Sequence, residues 1–224
     1  MVVLWLGETG QCACTGQFFV RAGMAGILLL QTGQPQHCAA NETDLAAMPY
    51  NLLITGESGT GKSTALNQSV EFLSKRRIAG FLSPRVVSDG SDPGWRIEGF
   101  NGVSGMFAHA SIRGRHRMGL LGVDIDLFER CISSETSALS RSDLVIIDEI
   151  GIIGGWSKAF RQFAERALDS TMPTVAIVRQ KSGDFSDRVK SRDDVEIWTL
   201  NREIRDVMPG DIARWVEATD LPMA

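Results

Sequence analysis

The 224-residue sequence has no long hydrophobic run, no excess of basic residues and few cysteines. No apolar run reaches the roughly 18 residues of a membrane-spanning helix, and the apolar stretch at residues 22–30 lacks the flanks of a secretory signal. The net charge of -4 disfavours nucleic acid as a main partner, because contact with a phosphate backbone usually needs a basic face. We therefore expect a cytoplasmic protein that acts on neither membranes nor nucleic acid, and the sequence does not identify a protein partner.

Charged residues are also scarce in residues 1–47, where only four occur. They are Glu8, Arg21, Glu42 and Asp44. This segment shows too little periodicity to predict a stable element, whereas Met48 leads directly into a strand-like run. We expect residues 1–47 to be a poorly ordered or non-native extension, Met48 to be a plausible natural start, and residues 48–224 to form one α/β domain.

Three of the four cysteines lie in the same segment, at Cys12, Cys14 and Cys38. Together with His37 they have the ligand types that Zn²⁺ takes, but C-x-C is not the usual C-x₂₋₄-C spacing, so no zinc site is expected. Cys131 stands alone in the main domain and is expected to be an ordinary buried thiol.

A glycine-rich octapeptide at residues 56–63 matches the phosphate-binding loop (P-loop) pattern G-x-x-x-x-G-K-[ST]. A strand-like run at 51–55 precedes it, and Leu66, Val70 and Leu73 follow at helical spacing. This context favours a nucleotide site over a glycine-rich turn that caps an ordinary helix, because backbone N–H groups and the helix N-terminus then face a polyphosphate. The expected phosphate-binding residues are Gly56, Glu57, Ser58, Gly59, Thr60, Gly61, Lys62, Ser63 and Thr64.

The second half of the site is predicted where the apolar run 144–147 ends in Asp148-Glu149. Continuous apolarity is typical of a central parallel strand. We expect Lys62 to reach the β- and γ-phosphates as a catalytic residue, and Ser63 and Asp148 to bind Mg²⁺. Glu149 points the other way at the strand end and is the candidate to orient and deprotonate a water.

Two other functions use the same loop and stay open. One is a nucleotide or small-molecule kinase, and the other is a switch protein whose slow hydrolysis times a partner interaction. The sequence has no N-K-x-D motif of guanine-specific proteins, which argues against strict GTP specificity. Glu149 beside the expected metal ligand favours water as the acceptor, so hydrolysis is the leading hypothesis.

Strand and helix patterns alternate through the rest of the domain, which predicts an α/β fold with a mainly parallel sheet and helices on both faces. A turn beginning Asn101-Gly102 predicts an inserted β-hairpin from strands at 96–100 and 106–112. A loop is expected at 88–94 from its composition. The other expected elements are helices at 62–77, 126–139, 156–170 and 212–218, the last capped by Asp211, and strands at 79–83, 174–178 and 195–200.

The sequence from 52 to about 208 resembles the small THEP-type nucleoside-triphosphatases, also called cancer-related nucleoside-triphosphatases. The selective matches are D-E-I-G at 148–151 and G-V-D-x-x-x-F-E at 122–129, and further matching segments lie at 54–56, 80–81, 96–100, 157–160 and 201–202. The resemblance implies a RecA-like P-loop sandwich and slow, Mg²⁺-dependent hydrolysis of several nucleoside triphosphates, ATP and GTP among them, to diphosphate and phosphate. It also suggests a nucleotide contact from Arg202. The chain departs from the family at 152–154, where Ile-Ile-Gly replaces the usual K-M-E, and at 85–87, where Arg-Val-Val stands near the usual E-V-R.

Arginines cluster at Arg113, Arg115 and Arg117 after the expected hairpin. They could clamp a phosphate, but a solvated loop is favoured because arginines mostly stay in water. Three of the five tryptophans are interpreted as packing residues rather than platforms for a base, namely Trp95, Trp156 and Trp198.

Overall fold

The computed structural model describes residues 50–87, 93–181 and 183–219, together with the backbone of three short strands nearer the N-terminus. The chain divides into two compact units, Met1–Ala47 and Met48–Ala224. In the first unit, β1 (Gly10–Gln11), β2 (Phe18–Arg21) and β3 (Ile27–Leu28) pair antiparallel, although no strand was expected there. Cys12, Cys14, His37 and Cys38 lie outside the described residues, as does most of the loop expected at 88–94. The expectation that residues 1–47 are non-native stays a prediction.

The second unit alternates strands with helices. Its strands are β4 (Asn51–Thr55), β5 (Ile78–Leu82), β6 (Arg85–Val86), β7 (Gly94–Gly99), β8 (Ser104–His109), β9 (Arg117–Met118), β10 (Leu121–Val123), β11 (Leu144–Ile150), β12 (Thr174–Val178) and β13 (Val195–Thr199). Its helices are α1 (Lys62–Phe72), α2 (Ile125–Ala138), α3 (Lys158–Leu168), α4 (Asp184–Lys190) and α5 (Met208–Thr219), with 3-10 turns at Leu139–Arg141 and Ile152–Gly155. None of the helices in the described part of the chain is long and apolar enough to cross a membrane.

A ten-stranded mixed sheet organises this unit in the order β13-β4-β12-β11-β5-β7-β8-β10-β9, with β6 paired to β7. The five strands from β13 to β5 run parallel, and β7 to β10 continue the sheet antiparallel. The predicted α/β fold with helices on both faces is confirmed. The predicted hairpin exists as β7 and β8 and extends the sheet, and the antiparallel strands make the sheet mixed rather than mainly parallel throughout.

Both faces of the sheet are covered, which explains the uninterrupted apolar run of β11. Alternate side chains of this strand enter different cores: Val145 and Ile147 pack with α2 and α3, and Ile146 packs with α1 and α5. All three side chains are fully buried. A strand with one solvated face would alternate apolar and polar residues, so the sequence pattern follows directly from this double burial.

Glu135 of α2 fixes the hairpin to the parallel half of the sheet. Its carboxylate is fully buried and accepts hydrogen bonds from the backbone N–H of Gly80 at 2.9 Å and of Asn101 at 2.8 Å. The Asn101 side-chain amide donates a third, at 2.7 Å. A buried carboxylate needs such donors, because burial without them would be strongly unfavourable. Glu135 thereby holds the turn between β7 and β8 against β5.

The helix ends differ from the expected ones for local reasons. Helix α1 ends at Phe72 rather than near 77, since the N–H of Leu73 already bonds back to the carbonyls of Ser69 and Val70 and the chain then turns. Arg77 is held by Asp143 instead, through its backbone N–H at 2.7 Å. The expected capping role of Asp211 is wrong: α5 begins three residues earlier, at Met208, and Asp211 pairs with Arg214 inside the helix.

Candidate active site

The P-loop joins the end of β4 to the start of α1, as predicted. Gly61 has a φ of 100°, in the left-handed region where glycine is favoured, and its carbonyl accepts the first helical hydrogen bond of α1 from the N–H of Ala65 at 2.8 Å. The Thr60 hydroxyl braces the loop by donating to the Glu57 carbonyl at 2.9 Å. The loop therefore presents the N-terminus of α1, with its unpaired N–H groups, to an anion.

Lys62 lies across this loop. Its ammonium nitrogen Nζ donates to the carbonyl oxygens of Gly56 at 2.8 Å and Glu57 at 2.7 Å. Partial burial lowers the pKa of Lys62, while the nearby Glu149 and Asp148 carboxylates oppose that shift. The ammonium group therefore contacts the loop backbone and lies near two carboxylates, at the edge of the loop that a polyphosphate would occupy.

Ser63 and Asp148 meet although 85 positions separate them in sequence. The Ser63 hydroxyl Oγ donates to Oδ1 of Asp148 at 3.1 Å, and the Ser83 N–H donates to the other carboxylate oxygen at 3.3 Å. Asp148 is only 2 % exposed. Burial raises its pKa to about 6, against the opposing effect of the Ser83 and Ser63 hydrogen bonds.

This pair of oxygens fits Mg²⁺. A hydroxyl and a carboxylate oxygen converge beside the P-loop, and hard oxygen ligands are what Mg²⁺ prefers. Within the described ranges, no group of three or more His, Cys, Asp or Glu side chains could hold a metal ion. Two protein ligands suit Mg²⁺ at a phosphate site, since it usually keeps several waters and binds phosphate oxygens as well.

Glu149 lines the same cavity as Asp148. Asp148 is buried and Glu149 is exposed, and the peptide bond between them is cis. The register of β11 against β12 shifts between Ile147 and Ile150, so both acids stand where the regular pairing ends. Desolvation at the cavity wall raises the pKa of Glu149, and the charges of Lys62 and Arg179 oppose that rise. A carboxylate with a raised pKa that faces a cavity suits proton transfer.

A cavity of about 640 Å³ extends from the P-loop past Asp148 and Glu149 into the antiparallel half of the sheet. Its far end is lined by six apolar side chains, which we name the aromatic chamber: Phe81, Trp95, Phe107, Met118, Leu121 and Phe128. Trp95 is half-buried there, and the Arg85 guanidinium carbon lies 5.9 Å from the centroid of its ring. The interpretation of Trp95 as a plain packing residue is therefore incomplete.

The other predicted residues lie elsewhere. Trp156 packs on the core and against the ring of His116, with centroids 5.0 Å apart, and Trp198 packs on the core beside α1 and α5. Cys131 is buried as expected, which raises its pKa to about 12. The arginine cluster (Arg113, Arg115 and Arg117) is exposed, as expected for a solvated loop. Arg202 is also exposed, and its suggested contact with a nucleotide stays a prediction.

Sequence reasoning missed Ser83 and Arg179. Each follows a strand that neighbours β11: Ser83 follows β5 and bonds Asp148, and Arg179 follows β12, where its N–H donates to the Ile150 carbonyl at 3.1 Å. Carboxyl ends of neighbouring parallel strands meet at one edge of a sheet, so residues just after expected strands were the available signal.

Comparison with known proteins agrees with this geometry. A family model described as NTPase matches residues 51–213. A nucleoside-triphosphatase THEP1 from Thermotoga sp. (strain RQ2) is 33% identical over 162 residues, which cover 72% of this chain and 92% of that protein. THEP1 from Thermofilum pendens is 29% identical over 170 residues, covering 73% and 93%.

Two solved structures share the fold. The crystal structure of THEP1 from the hyperthermophile Aquifex aeolicus matches with a TM-score of 0.67 and 27% identity, over 75% of this chain and 99% of that one. The solution structure of a human cancer-related nucleoside triphosphatase matches in fold with a TM-score of 0.63 at 23% identity, over 75% and 97%. With a P-loop, two strand-end acids and a matching family model over most of its length, this chain belongs to the THEP1 family of nucleoside-triphosphatases.

Proposed function

We propose that this NTPase hydrolyses nucleoside 5′-triphosphates to diphosphate and phosphate in a Mg²⁺-dependent reaction with broad base specificity. The observation that carries the proposal is the contact of Ser63 with Asp148 beside the P-loop, at 3.1 Å. Relatives of this chain are named nucleoside-triphosphatases, which supports triphosphates as substrates. Broad base specificity is supported by the absence of N-K-x-D from the sequence.

Each residue of the site then has a role. The loop amides and Lys62 would bind the β- and γ-phosphates, and Ser63 and Asp148 would hold Mg²⁺. When bound, Mg²⁺ supplies positive charge beside the phosphate oxygens. Glu149 would orient a water in line with the bond that breaks and accept its proton. Catalysis by these groups consists mainly of positioning and charge stabilisation.

The test is release of phosphate from ATP, GTP, CTP and UTP, with Mg²⁺ and with EDTA. We expect release from all four nucleotides only with Mg²⁺, and a loss of about 100-fold or more in Glu149→Gln, because the amide cannot accept the proton. Glu217→Gln, at an exposed position of α5, is the matched control and should act like wild type. Near-normal turnover in Glu149→Gln would remove Glu149 from the mechanism.

The same assay separates hydrolysis from a kinase, because a kinase would not release phosphate without an acceptor. Capture of a partner by the ATP-loaded but not the ADP-loaded protein would reveal a switch. Base preference, a cytoplasmic location and the expectation of no nucleic-acid partner stay predictions.

A further inference from the structure

The aromatic chamber lies on one particular side of the P-loop. In the sheet, β4 carries the loop, and β11, two strands away, carries Asp148. The chamber lies beyond β11 on the side away from β4, and its residues come from β5, β7, β8, β9 and β10 together with α2. On the other side of β4 lies β13, and the exposed loop that follows β13 brings Arg205 close to Gly61.

This arrangement gives a bound triphosphate a direction. With its γ-phosphate beside Lys62 and the proposed metal ligands, a triphosphate would run from the β13 side toward β11, and its nucleoside would leave on the β13 side. The group that attacks the γ-phosphorus approaches in line, opposite the departing diphosphate. The chamber therefore opens on the attack side, behind Glu149, and not on the side of the triphosphate's own base.

The chemistry of the chamber suits a planar ring. Its walls are four aromatic side chains with Met118 and Leu121, and the half-buried Trp95 offers an indole face. Aromatic faces stack on any base, because every base has a π-face. Arg85 lies over that same indole, at 5.9 Å, and is exposed enough to meet an anionic group.

We propose that the aromatic chamber is a second ligand site, which binds a nucleoside monophosphate with its base against Trp95 and its phosphate between Arg85 and the γ-phosphate of the triphosphate. The whole cavity, about 640 Å³, is within the size range of small-molecule sites, and the triphosphate's nucleoside lies outside the chamber. The proposal rests on the proposed function to the extent that a triphosphate must occupy the P-loop.

Two ligands test it by calorimetry in Mg²⁺: diadenosine pentaphosphate and adenosine pentaphosphate. They carry the same phosphates, and only the first has a second nucleoside that can reach the chamber. We expect the first to bind about tenfold tighter or more, because the second nucleoside is tethered at a high effective concentration. Trp95→Leu should remove most of this difference, and Trp95→Phe, which keeps an aromatic face, should retain it. Met118→Trp narrows the chamber from its half-buried rim and should remove the difference even if Trp95→Leu fails to fold.

The other outcomes overturn the proposal in distinguishable ways. Equal affinities in the wild-type protein would mean that the chamber takes no second nucleoside. An equal loss of affinity for both ligands in Trp95→Leu would place the triphosphate's own base in the chamber. If neither ligand binds the wild-type protein, the triphosphate site itself is wrong, and the proposed function fails with it.

Discussion

The carboxylate of Glu149 occupies the space that a side chain at Gly151 would need. A Cβ atom on Gly151 would lie 2.7 Å from Oε1 of Glu149, a distance that such contacts do not reach without movement. Since Gly151 ends the D-E-I-G segment, the glycine has a physical reason to stand there: it leaves room for the proposed base two residues earlier.

Gly151→Ala should therefore lower kcat by about tenfold while KM changes little, because the displaced group acts on the water rather than on the phosphates. Gly155→Ala is the matched control from the 3-10 turn that follows Gly151, since a Cβ there would meet nothing within 4 Å. Steady-state phosphate release measures both parameters. An unchanged kcat in Gly151→Ala would show that the position of this carboxylate does not limit turnover.

Lys62→Ala should weaken binding of Mg²⁺-ATP about 10- to 100-fold, because a charged donor to the phosphates is lost. The control is Lys75→Ala, at an exposed position beyond the end of α1. Calorimetry with a non-hydrolysable ATP analogue separates binding from turnover. Equal affinity in the two variants would exclude Lys62 from phosphate binding.

Asp148 should make the metal-free protein less stable as pH rises. Its pKa in the folded protein is about 6, above the ordinary aspartate pKa of 3.8, so between these values the folded state binds more protons than the unfolded state. The free energy of unfolding then falls with rising pH across this window, by about 3 kcal/mol at most. Asp148→Asn should be more stable than wild type at pH 7.5 in EDTA and lose this advantage near pH 4. Urea unfolding at both pH values checks it, and a difference that does not depend on pH would contradict the assignment.

Glu135→Gln should destabilise the domain by about 1–3 kcal/mol. The carboxylate accepts three N–H groups, and the amide of glutamine would turn an NH₂ toward at least one of them. Glu217→Gln serves as the exposed control. The midpoint of urea unfolding measures the change, and equal midpoints would show that the hairpin is held by packing alone.

The phosphate-binding part of the site is predictable from the sequence because short, local patterns identify it. The P-loop pattern and the apolar run before Asp148 each identify a strand end, and a known motif pairs them across 85 positions. The chamber has no such signal. Its strand β9 has two residues and its strand β10 has three, which is too short for a period to show. The place of Trp95 depends on the register of β7 against β8, which only long-range pairing fixes.

The two parts of the cavity come from different segments of the sequence. The chamber side chains all come from residues 81–128, whereas the phosphate loop and the acids come from 56–63 and 148–149. Substitutions that reshape the first segment need not move the second, because the parallel strands hold the reacting groups independently of the antiparallel ones. The specificity of the aromatic chamber for a second ligand can therefore change during evolution while the residues that act on the phosphates stay the same.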